Sequence, residues 1–234
     1  MFQRITNRLS KTAKVPGNAI SLLRCARSIR SLNLNASPHT LADFCFGYPI
    51  RPQQVPEELI SLFDMVADLK PKNALEIGTC TGGTLFMMCR VADPSATVIS
   101  VDLPGGRFGR GYLWPRKFIY RRFAKIEQAV HLLRKNSHDR KTLDLVRSVL
   151  GDKRLDFLFI DGDHTYGGVR ADFEMYAPLV RKGGIVAFHD IAKHPVEIEC
   201  EVDRFWNEIR QRYDHVEIVK DPNQQWAGIG VLHV

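Results

Sequence analysis

The feature that most constrains this chain is an alternation that begins near residue 56. Short apolar segments alternate with segments whose apolar residues recur every three to four positions. This alternation is typical of a largely parallel sheet covered by helices on both faces. Strands are predicted at 73–79, 97–103, 129–137, 156–163, 183–191, 215–220 and 228–234, and helices at 57–69, from the glycine-rich turn to about 93, and at 141–150, 169–180 and 197–213.

The last two predicted strands are joined only by residues 221–227. Parallel neighbours need a crossover of about a dozen residues or more, so the last strand should run antiparallel. The fold prediction is therefore α/β: a doubly wound, mostly parallel seven-stranded sheet of Rossmann-like type, with one reversed strand beside its far edge.

The net charge of +7 resides at the N-terminus. Residues 1–42 contain no acidic residue, and from residue 43 onward basic and acidic residues balance. We predict a basic helical N-terminal extension at 1–42 and a single catalytic domain at 43–234. The basic residues of the extension are Arg4, Arg8, Lys11, Lys14, Arg24, Arg27 and Arg30.

The extension has the pattern of two short amphipathic helices broken at Pro16-Gly17. Helices of this kind can lie on an anionic membrane surface, which predicts a peripheral membrane contact. An arm packed on its own domain or on a second copy of the chain, in a homo-oligomer, explains the pattern equally well. Its Arg- and Ser-rich, acid-free composition also resembles a transit peptide, a third alternative.

The cysteines favour a reducing compartment. There are five of them, and no pair has the spacing of a metal or redox motif, which argues against a disulfide framework or a zinc cluster. No apolar segment approaches the ~20 residues that span a bilayer, and the N-terminus lacks the apolar centre of a secretory signal. We therefore expect a cytoplasmic protein.

The turn after the first predicted strand, Glu76-Ile-Gly-Thr-Cys-Thr-Gly-Gly83, is the expected ligand site, because ligands bind at the carboxyl ends of the strands in an open α/β sheet. Its glycines leave room for close approach of a ligand. Their spacing is neither G-x-G-x-x-G nor that of a P-loop, and Glu76 would repel a pyrophosphate but favour a cation.

Asp102 ends the second predicted strand, where a carboxylate can accept the hydroxyls of a ribose. A ligand with a ribose, a positive charge and no phosphate is S-adenosylmethionine. The alternative is a tight turn that only packs helix on strand. Asn136 and Ser137, at the end of the third strand, are placed to hold the adenine, although turn or cap roles suit them equally.

Polar side chains follow two further predicted strands, in Ile160-Asp-Gly-Asp-His-Thr-Tyr166 and Phe188-His-Asp190. Two carboxylates and an imidazole brought together are unfavourable unless they bind a cation or share protons. We predict a divalent metal held by Asp161, His189 and Asp190, where oxygen ligands suit Mg²⁺ or Mn²⁺ and the imidazole favours Mn²⁺.

Either Asp163 or His164 would then remove the proton of an acceptor hydroxyl, and the sequence does not distinguish them. The alternative to this site makes Asp163 and Thr165 helix caps and His189 a buried, hydrogen-bonded residue.

Together these motifs, with Ser100-Val-Asp102-Leu-Pro-Gly-Gly, resemble the class I S-adenosylmethionine-dependent methyltransferases, in the branch of macrocin- and sugar-type O-methyltransferases and cephalosporin-hydroxylase-like proteins. The resemblance covers residues 50 to 234. It implies cofactor contacts from Glu76, Gly78, Asp102 and the Asn136-Ser137 turn, metal ligation by Asp161 and Asp190, and Asp163 as a base. The full predicted cofactor set is Glu76, Gly78, Thr79, Gly82, Gly83, Asp102, Asn136, Ser137 and Asp161.

The chain departs from that family at two positions. His189 stands where metal-dependent members often carry an acid, so the identity of the metal is open. Asn136 stands where aspartate is common, which bears on the adenine contact.

A segment from Leu103 to Lys125 is basic and free of acid, with interleaved aromatic residues. Its glycine-rich first half suits a lid, and arginines beside aromatics suit a small anionic or sugar-bearing substrate. The neutral body offers no broad basic face, which disfavours RNA as a substrate. By analogy with the family, Arg51 and Gln54 line the methyl-transfer pocket, and packing or capping explains them equally well.

The leading functional prediction is an O-methyltransferase, assisted by a metal, that acts on a small-molecule hydroxyl of sugar, glycoside or natural-product type. A nicotinamide-dependent oxidoreductase is the second reading, disfavoured by the glycine spacing. A third is a non-catalytic adaptor that docks on a membrane or a glycosyltransferase.

Overall fold

The structure is a computed structural model that describes residues 15–108 and 111–234. Its strands are β1 (Asn73–Ile77), β2 (Thr97–Val101), β3 (Ala129–Leu133), β4 (Leu155–Ile160), β5 (Val180–His189), β6 (Asp214–Ile218) and β7 (Ile229–His233). Its α-helices are α1 (Val15–Ser31), α2 (Pro38–Gly47), α3 (Pro56–Leu69), α4 (Gly83–Val91), α5 (Lys117–Tyr120), α6 (Arg140–Leu150), α7 (Tyr166–Tyr176) and α8 (Val202–Ile209).

The seven strands form one sheet in the order β3-β2-β1-β4-β5-β7-β6. Neighbours from β3 to β5 are parallel, and β7 is antiparallel to both β5 and β6. The predicted fold class, including the reversed last strand beside the far edge, is confirmed. Strand order reverses between β1 and β4, so their carboxyl ends flank the crevice in which ligands of such sheets bind.

Two hydrophobic layers cover the sheet. Side chains alternate along β4, so that Phe157 and Phe159 enter the layer beneath α2, α3 and α4, whereas Leu158 and Ile160 enter the layer beneath α6, α7 and α8. All four are at most 2% exposed. Each such burial stabilises the fold by about 1.5–3 kcal/mol, which explains why the central strands are continuous apolar runs.

Helix α1 begins with Val15, Pro16 and Gly17 in its first turn, so the predicted break is the start of a helix. Proline is favoured there because its fixed φ suits the first turn, where amide hydrogens lack helical partners. Cys25 and Ile29 of α1 are buried in the layer beneath α2 to α4, and Arg90 donates a hydrogen bond to the Ile29 carbonyl over 2.7 Å.

Of the alternatives considered for the N-terminal extension, α1 therefore corresponds to an arm that packs on its own domain. The first predicted amphipathic helix lies outside the described residues, and the predicted boundary at 42/43 falls within α2. Among the described helices, none combines the length and apolarity that crossing a bilayer requires.

The predicted helix at 197–213 is shorter in the structure. A 3-10 turn at Val196–Ile198 ends at Glu199, whose φ of 55° is left-handed, and α8 starts only at Val202. The predicted strands likewise end two to four residues early where they reach the polar positions of the site, as β1 does at Ile77 and β3 at Leu133.

Candidate active site

A cavity of about 980 Å³ lies at the carboxyl ends of β1, β2, β4 and β5. One end is formed by the glycine turn after β1 and the residues that follow β2 and β3. The other end is formed by the residues that follow β4 and β5. Of the predicted site residues, those on the wall are Gly78, Thr79, Asp102, Asn136, Ser137, Asp161, Asp163, His164, His189 and Asp190.

The three glycines of the turn make room for other parts of the protein. A Cβ on Gly78 (φ 92°) would lie 1.9 Å from the Asp161 carbonyl oxygen, so this glycine lets the turns after β1 and β4 approach. A Cβ on Gly82 would meet the Tyr120 ring at 2.5 Å, and one on Gly83 would meet the Ile50 carbonyl oxygen at 2.4 Å. Gly82 and Gly83 therefore position the turn from behind, and the backbone of residues 78–81 faces the cavity.

Glu76 is fully buried behind the turn. Its Oε1 accepts a hydrogen bond from the Thr84 hydroxyl, and its Oε2 has no hydrogen-bond partner. Burial raises the pKa of Glu76 to about 8. An unpartnered buried carboxylate oxygen is costly, and a nearby cation would remove that cost.

Asp102 is 6% exposed and connects the glycine turn with the segment that follows β2. Its Oδ1 accepts a hydrogen bond from the Thr79 amide over 3.2 Å, and its Oδ2 accepts one from the Tyr112 amide over 2.7 Å. Burial raises the pKa of this carboxyl against the opposing effect of the amides. The Cys80 amide also donates to this carboxyl, so three of its roughly four acceptor positions are engaged and one remains for a ligand hydroxyl.

Asn136 and Ser137 lie on the wall after β3. The Asn136 Oδ1 accepts a hydrogen bond from the His138 amide over 3.0 Å, which is the turn role considered for it. The Ser137 carbonyl accepts one from the Tyr176 hydroxyl over 2.7 Å. The amide nitrogen of the Asn136 side chain stays available to a ligand.

The predicted metal ligands Asp161, His189 and Asp190 come together at the opposite end. Nδ1 of His189 lies 3.2 Å from Oδ1 of Asp161 and 3.3 Å from Oδ1 of Asp190. Ligand atoms of the three residues lie within 4.8 Å of one another. Asp190 has a φ of 64°, a conformation that is rare for a residue with a side chain and that clusters at functional sites.

The charged residues of this cluster change one another's pKa. Burial alone would lower the pKa of His189, but the carboxylates of Asp161 and Asp190 outweigh burial and raise that pKa well above its usual range. Burial would raise the pKa of Asp190, and the neighbouring His189 outweighs it and lowers the pKa. The Nε2 atom of His189 is buried and has no hydrogen-bond partner.

The two predicted bases differ in their partners. Asp163 accepts hydrogen bonds from the Thr165 amide over 3.0 Å and from its hydroxyl over 2.8 Å, and Thr165 caps α7 by accepting from the Gly168 amide. His164 lies between the carboxylates, with Nε2 3.5 Å from Asp161 and Nδ1 3.2 Å from Asp190. Burial would lower its pKa, but the hydrogen bond with Asp161 contributes most to raising it to about 10.

Two residues that sequence reasoning missed lie beside Asp190. Nε2 of His194 is 3.2 Å from Oδ1 of Asp190, and the His194 side chain is 7% exposed. The Cys200 sulfur lies within 4.8 Å of ligand atoms of His164 and Asp190. The signal available in the sequence was the four-residue spacing from Asp190 to His194, whereas the approach of Cys200 depends on the path of an irregular loop.

The basic segment has two roles. The Arg116 guanidinium donates hydrogen bonds to the Thr81 and Pro49 carbonyls over 3.1 Å each, and the Tyr120 hydroxyl donates to the Cys80 carbonyl over 2.7 Å. These residues support the glycine turn from behind. The first half of the segment lies over the cavity.

Two contacts join this lid-like part to the far wall. Arg107 forms an ion pair with Glu199, and the Phe108 ring stacks on His164 with centroids 4.7 Å apart. The segments 103–108 and 195–199 therefore meet across the opening of the cavity.

The wall opposite the glycine turn carries exposed apolar side chains, with Trp226 49% and Ile198 56% exposed. The loop that carries Trp226 is held by the buried carboxylate of Glu58. Its Oε1 accepts from the Lys220 amide over 2.9 Å and its Oε2 from the Gly228 amide over 2.9 Å. Gln54 also lies on the wall and donates its side-chain amide to Oδ2 of Asp161.

Comparison with known proteins finds relatives of this chain in sequence and in fold. The uncharacterized protein y4gI of Sinorhizobium fredii (strain NBRC 101917 / NGR234) is 30% identical over 129 residues, which are 54% of this chain and 14% of that protein. This chain thus spans a small part of that relative's length. The O-methyltransferase from Bacillus cereus, solved in complex with SAH, is 15% identical with a TM-score of 0.58 over 93% of this chain and 91% of its own.

TomG from Streptomyces achromogenes, an O-methyltransferase involved in tomaymycin synthesis and solved in complex with SAM, is 18% identical with a TM-score of 0.54. That alignment covers 85% of this chain and 89% of TomG. At these identities the likeness concerns the fold. The sequence profile of a family described as methyltransferase domain matches residues 75–191, so this chain belongs to the methyltransferase domain family, in the class I, S-adenosylmethionine-dependent fold.

Proposed function

We propose that this protein transfers the methyl group of S-adenosylmethionine to a hydroxyl of a small molecule with the help of a divalent cation. One observation carries the proposal: a single cavity of about 980 Å³ holds Asp102 and the glycine turn at one end and Asp161, His189 and Asp190 at the other. That volume lies at the upper end of the ~300–1,000 Å³ typical of small-molecule pockets. It leaves space for an acceptor beside the cofactor.

The cofactor end fits S-adenosylmethionine chemically. The unpartnered Oε2 of Glu76 lies behind the turn, where the positive charge of the cofactor offsets the cost of a buried carboxylate. Asp102 offers a lone pair to a ribose hydroxyl, and Asn136 offers an amide to the adenine. When bound, S-adenosylmethionine supplies an electrophilic methyl group.

The opposite end fits a divalent cation. Asp161, His189 and Asp190 offer two carboxylates and one imidazole whose ligand atoms lie within 4.8 Å of one another, a donor set suited to Mn²⁺ and, through its oxygens, to Mg²⁺. The unpartnered Nε2 of His189 is consistent with a site that awaits a further partner. A bound cation would supply positive charge that lowers the pKa of an acceptor hydroxyl.

The chain's own residues then align the acceptor and accept its proton. Asp163 and His164 both line the cavity. Because the pKa of His164 is raised to about 10, its imidazole already carries a proton near neutral pH, and Asp163 is the group placed to take the proton of the acceptor. Catalysis would rest mainly on holding the hydroxyl in line with the methyl group. The segment 103–108 would exclude water from the reacting atoms.

The part of the cavity wall that carries Trp226 and Ile198 favours, as methyl acceptor, a small molecule with an apolar ring or sugar face. Trp226 and Ile198 offer apolar surface, and Arg51, which lines the same cavity, offers positive charge. This combination suits a glycoside, an anionic sugar or an aromatic natural product. We further propose a cytoplasmic setting, consistent with the lack of a disulfide bond among the described residues. A homo-oligomer and a membrane contact through the N-terminal residues remain proposals, tested by light scattering and vesicle sedimentation.

The test combines binding and turnover. Calorimetric titration with S-adenosylmethionine, with and without Mn²⁺, should show one cofactor site. Methyl transfer to a panel of glycosides and phenols should depend on the cation. Cofactor binding without turnover on any hydroxyl acceptor would favour the adaptor reading, and no cofactor binding would overturn the proposal.

A further inference from the structure

Beyond the three predicted metal ligands, a second group of ligand atoms surrounds Asp190. His164, Asp190 and Cys200 offer ligand atoms that all lie within 4.8 Å of one another. His194 lies beside this group, with Nε2 3.2 Å from Oδ1 of Asp190. We call His164, Asp190 and Cys200 the thiol–histidine cluster.

The imidazole of this cluster is oriented as a metal ligand usually is. In metalloproteins the ring nitrogen that does not bind the metal donates to a carbonyl or carboxylate. Nε2 of His164 lies 3.5 Å from Oδ1 of Asp161, which leaves Nδ1 facing Oδ2 of Asp190 at 3.2 Å.

The third donor is a thiol. Its sulfur lies within 4.8 Å of the ligand atoms of His164 and Asp190. Burial would raise the pKa of the Cys200 thiol, but the neighbouring imidazoles of His164 and His194 outweigh burial and lower that pKa. The Asp190 side chain is 8% exposed and that of His164 22%, so the three donors converge at the wall of the cavity.

We propose that His164, Asp190 and Cys200 bind one transition-metal ion of the zinc class, at a site beside the predicted cation site of Asp161, His189 and Asp190. One sulfur, one nitrogen and one oxygen make three protein donors, the number found at zinc sites that keep a fourth position for solvent or substrate. A thiolate and an imidazole select zinc-class ions over Mg²⁺ and Ca²⁺. Asp190 would offer Oδ2 to this ion and Oδ1 to the neighbouring site. The cysteine spacing argues against a cluster of several cysteines, and this site uses one.

Such an ion would have two consequences for the acceptor end. It would tie the loop between β5 and α8, which carries Ile198 on the cavity wall, to the ends of β4 and β5. It would also occupy His164, and Asp163 would then be the group left to accept the proton. Neither consequence is needed for the ion to bind, so the site stands or falls independently of methyl transfer.

The test uses the full chain, stripped with a chelator and then titrated with Co²⁺ or Zn²⁺ in excess Mg²⁺. We expect one Co²⁺ per chain and a sulfur-to-cobalt charge-transfer band. Cys200→Ser should abolish the band, and both Cys200→Ser and His164→Gln should weaken Zn²⁺ binding at least tenfold. Cys80→Ser, which alters a cysteine outside the cluster, is the matched control and should change neither.

Other outcomes separate this inference from the proposed function. His189→Gln removes a ligand of the neighbouring site that is not a member of the cluster, so it should reduce Mn²⁺-supported turnover and keep the cobalt band. If wild type binds no stoichiometric Co²⁺ in excess Mg²⁺, or if Cys200→Ser and His164→Gln both bind Zn²⁺ as wild type does, the inference is overturned, whether or not methyl transfer occurs. A cobalt band without turnover would overturn only the proposed function.

Discussion

The side-chain amide of Gln54 donates a hydrogen bond to Oδ2 of Asp161 over 3.1 Å, although the two residues are 107 positions apart in the sequence. The contact ties the segment that enters α3 to a predicted metal ligand. It leaves Oδ1 of Asp161 facing His189 and His164. The orientation of this carboxylate therefore depends on a residue outside the central sheet.

Replacing Gln54 by leucine should weaken the predicted cation site. Partners that orient metal ligands typically contribute about 10- to 100-fold to metal affinity, so we expect Mn²⁺ affinity to fall by at least about tenfold while S-adenosylmethionine affinity is retained. Mn²⁺ titration followed by electron paramagnetic resonance measures the first, and calorimetry the second. Gln53→Leu, at the exposed neighbouring position, should behave as wild type. Equal Mn²⁺ affinity in Gln54→Leu and wild type would contradict the role assigned to the contact.

Replacing Asp102 by asparagine should reduce cofactor affinity. The carboxamide keeps one acceptor oxygen but cannot accept hydrogen bonds from Thr79, Tyr112 and a ribose hydroxyl together. We expect the Kd for S-adenosylmethionine to rise at least about tenfold, since a hydrogen bond to a charged group contributes about 1.5–3 kcal/mol. Calorimetry measures the Kd, and Asp152→Asn, at an exposed position away from the cavity, is the control. An unchanged Kd with an intact fold would argue against the predicted ribose contact.

Replacing Asp190 by asparagine should separate binding from catalysis. The side chain can still accept the hydrogen bond that the Ala227 amide now donates over 3.1 Å, so the fold should persist. Loss of the charge should lower kcat by at least about 100-fold, the scale of losing a group that stabilises developing charge. The Kd for S-adenosylmethionine should stay within about twofold. Single-turnover assays and calorimetry check these values, and loss of cofactor binding would contradict the division of the cavity into two ends.

Glu76 should make stability depend on pH. Its pKa is raised from 4.5 to about 8 in the folded chain, so between these values the folded state binds a proton that the unfolded state has released. Stability should therefore decrease as pH rises through this window, by up to about 1.4 kcal/mol per pH unit from this group. Urea unfolding at pH 5.5, 6.5 and 7.5, roughly spanning this window, would measure the slope for wild type and Glu76→Gln.

In Glu76→Gln the group no longer titrates, so this contribution should vanish while other groups contribute equally to both proteins. Parallel slopes for the two proteins would show that Glu76 is charged in the folded state.

Replacing Trp226 by alanine should affect the acceptor end alone. The indole contributes apolar surface to the outer wall, so its loss should raise the KM for the acceptor by roughly tenfold, in line with the loss of ~1–2 kcal/mol of apolar contact. The Kd for S-adenosylmethionine should be unchanged. Steady-state kinetics with the best acceptor from the panel measures the effect, and a rise in the cofactor Kd alone would place Trp226 at the wrong end of the cavity.

The sequence was sufficient to predict the sheet because its signals are local. The continuous apolar runs of β1, β4 and β5 predict buried parallel strands, and the short connection 221–227 predicts the reversed last strand, as found. The convergence of Asp161, His189 and Asp190 follows from the same rule, because they end neighbouring parallel strands. Their metal-binding role remains a prediction.

Contacts between distant, irregular segments could not be predicted. The hydrogen bonds of Arg116 to Thr81 and Pro49 place a residue of the basic segment behind the glycine turn, although its composition suited a substrate contact equally. The approach of Cys200 to His164 depends on the left-handed turn at Glu199, which no repeating pattern signals. The sequence likewise could not distinguish burial of Cys25 and Ile29 within the protein from contact with a membrane, because both arrangements require an apolar helix face.

The loop that presents Trp226 is anchored by Glu58, whose carboxylate accepts hydrogen bonds from the Lys220 and Gly228 amides and from the Gln224 side chain. All three donors come from one loop, and the acceptor belongs to a helix that does not depend on what the loop presents. The residues that anchor this loop therefore differ from the residues that it presents to the cavity. Substitutions at positions 225 and 226 would change the range of methyl acceptors over evolution and leave the residues that bind the methyl donor unchanged.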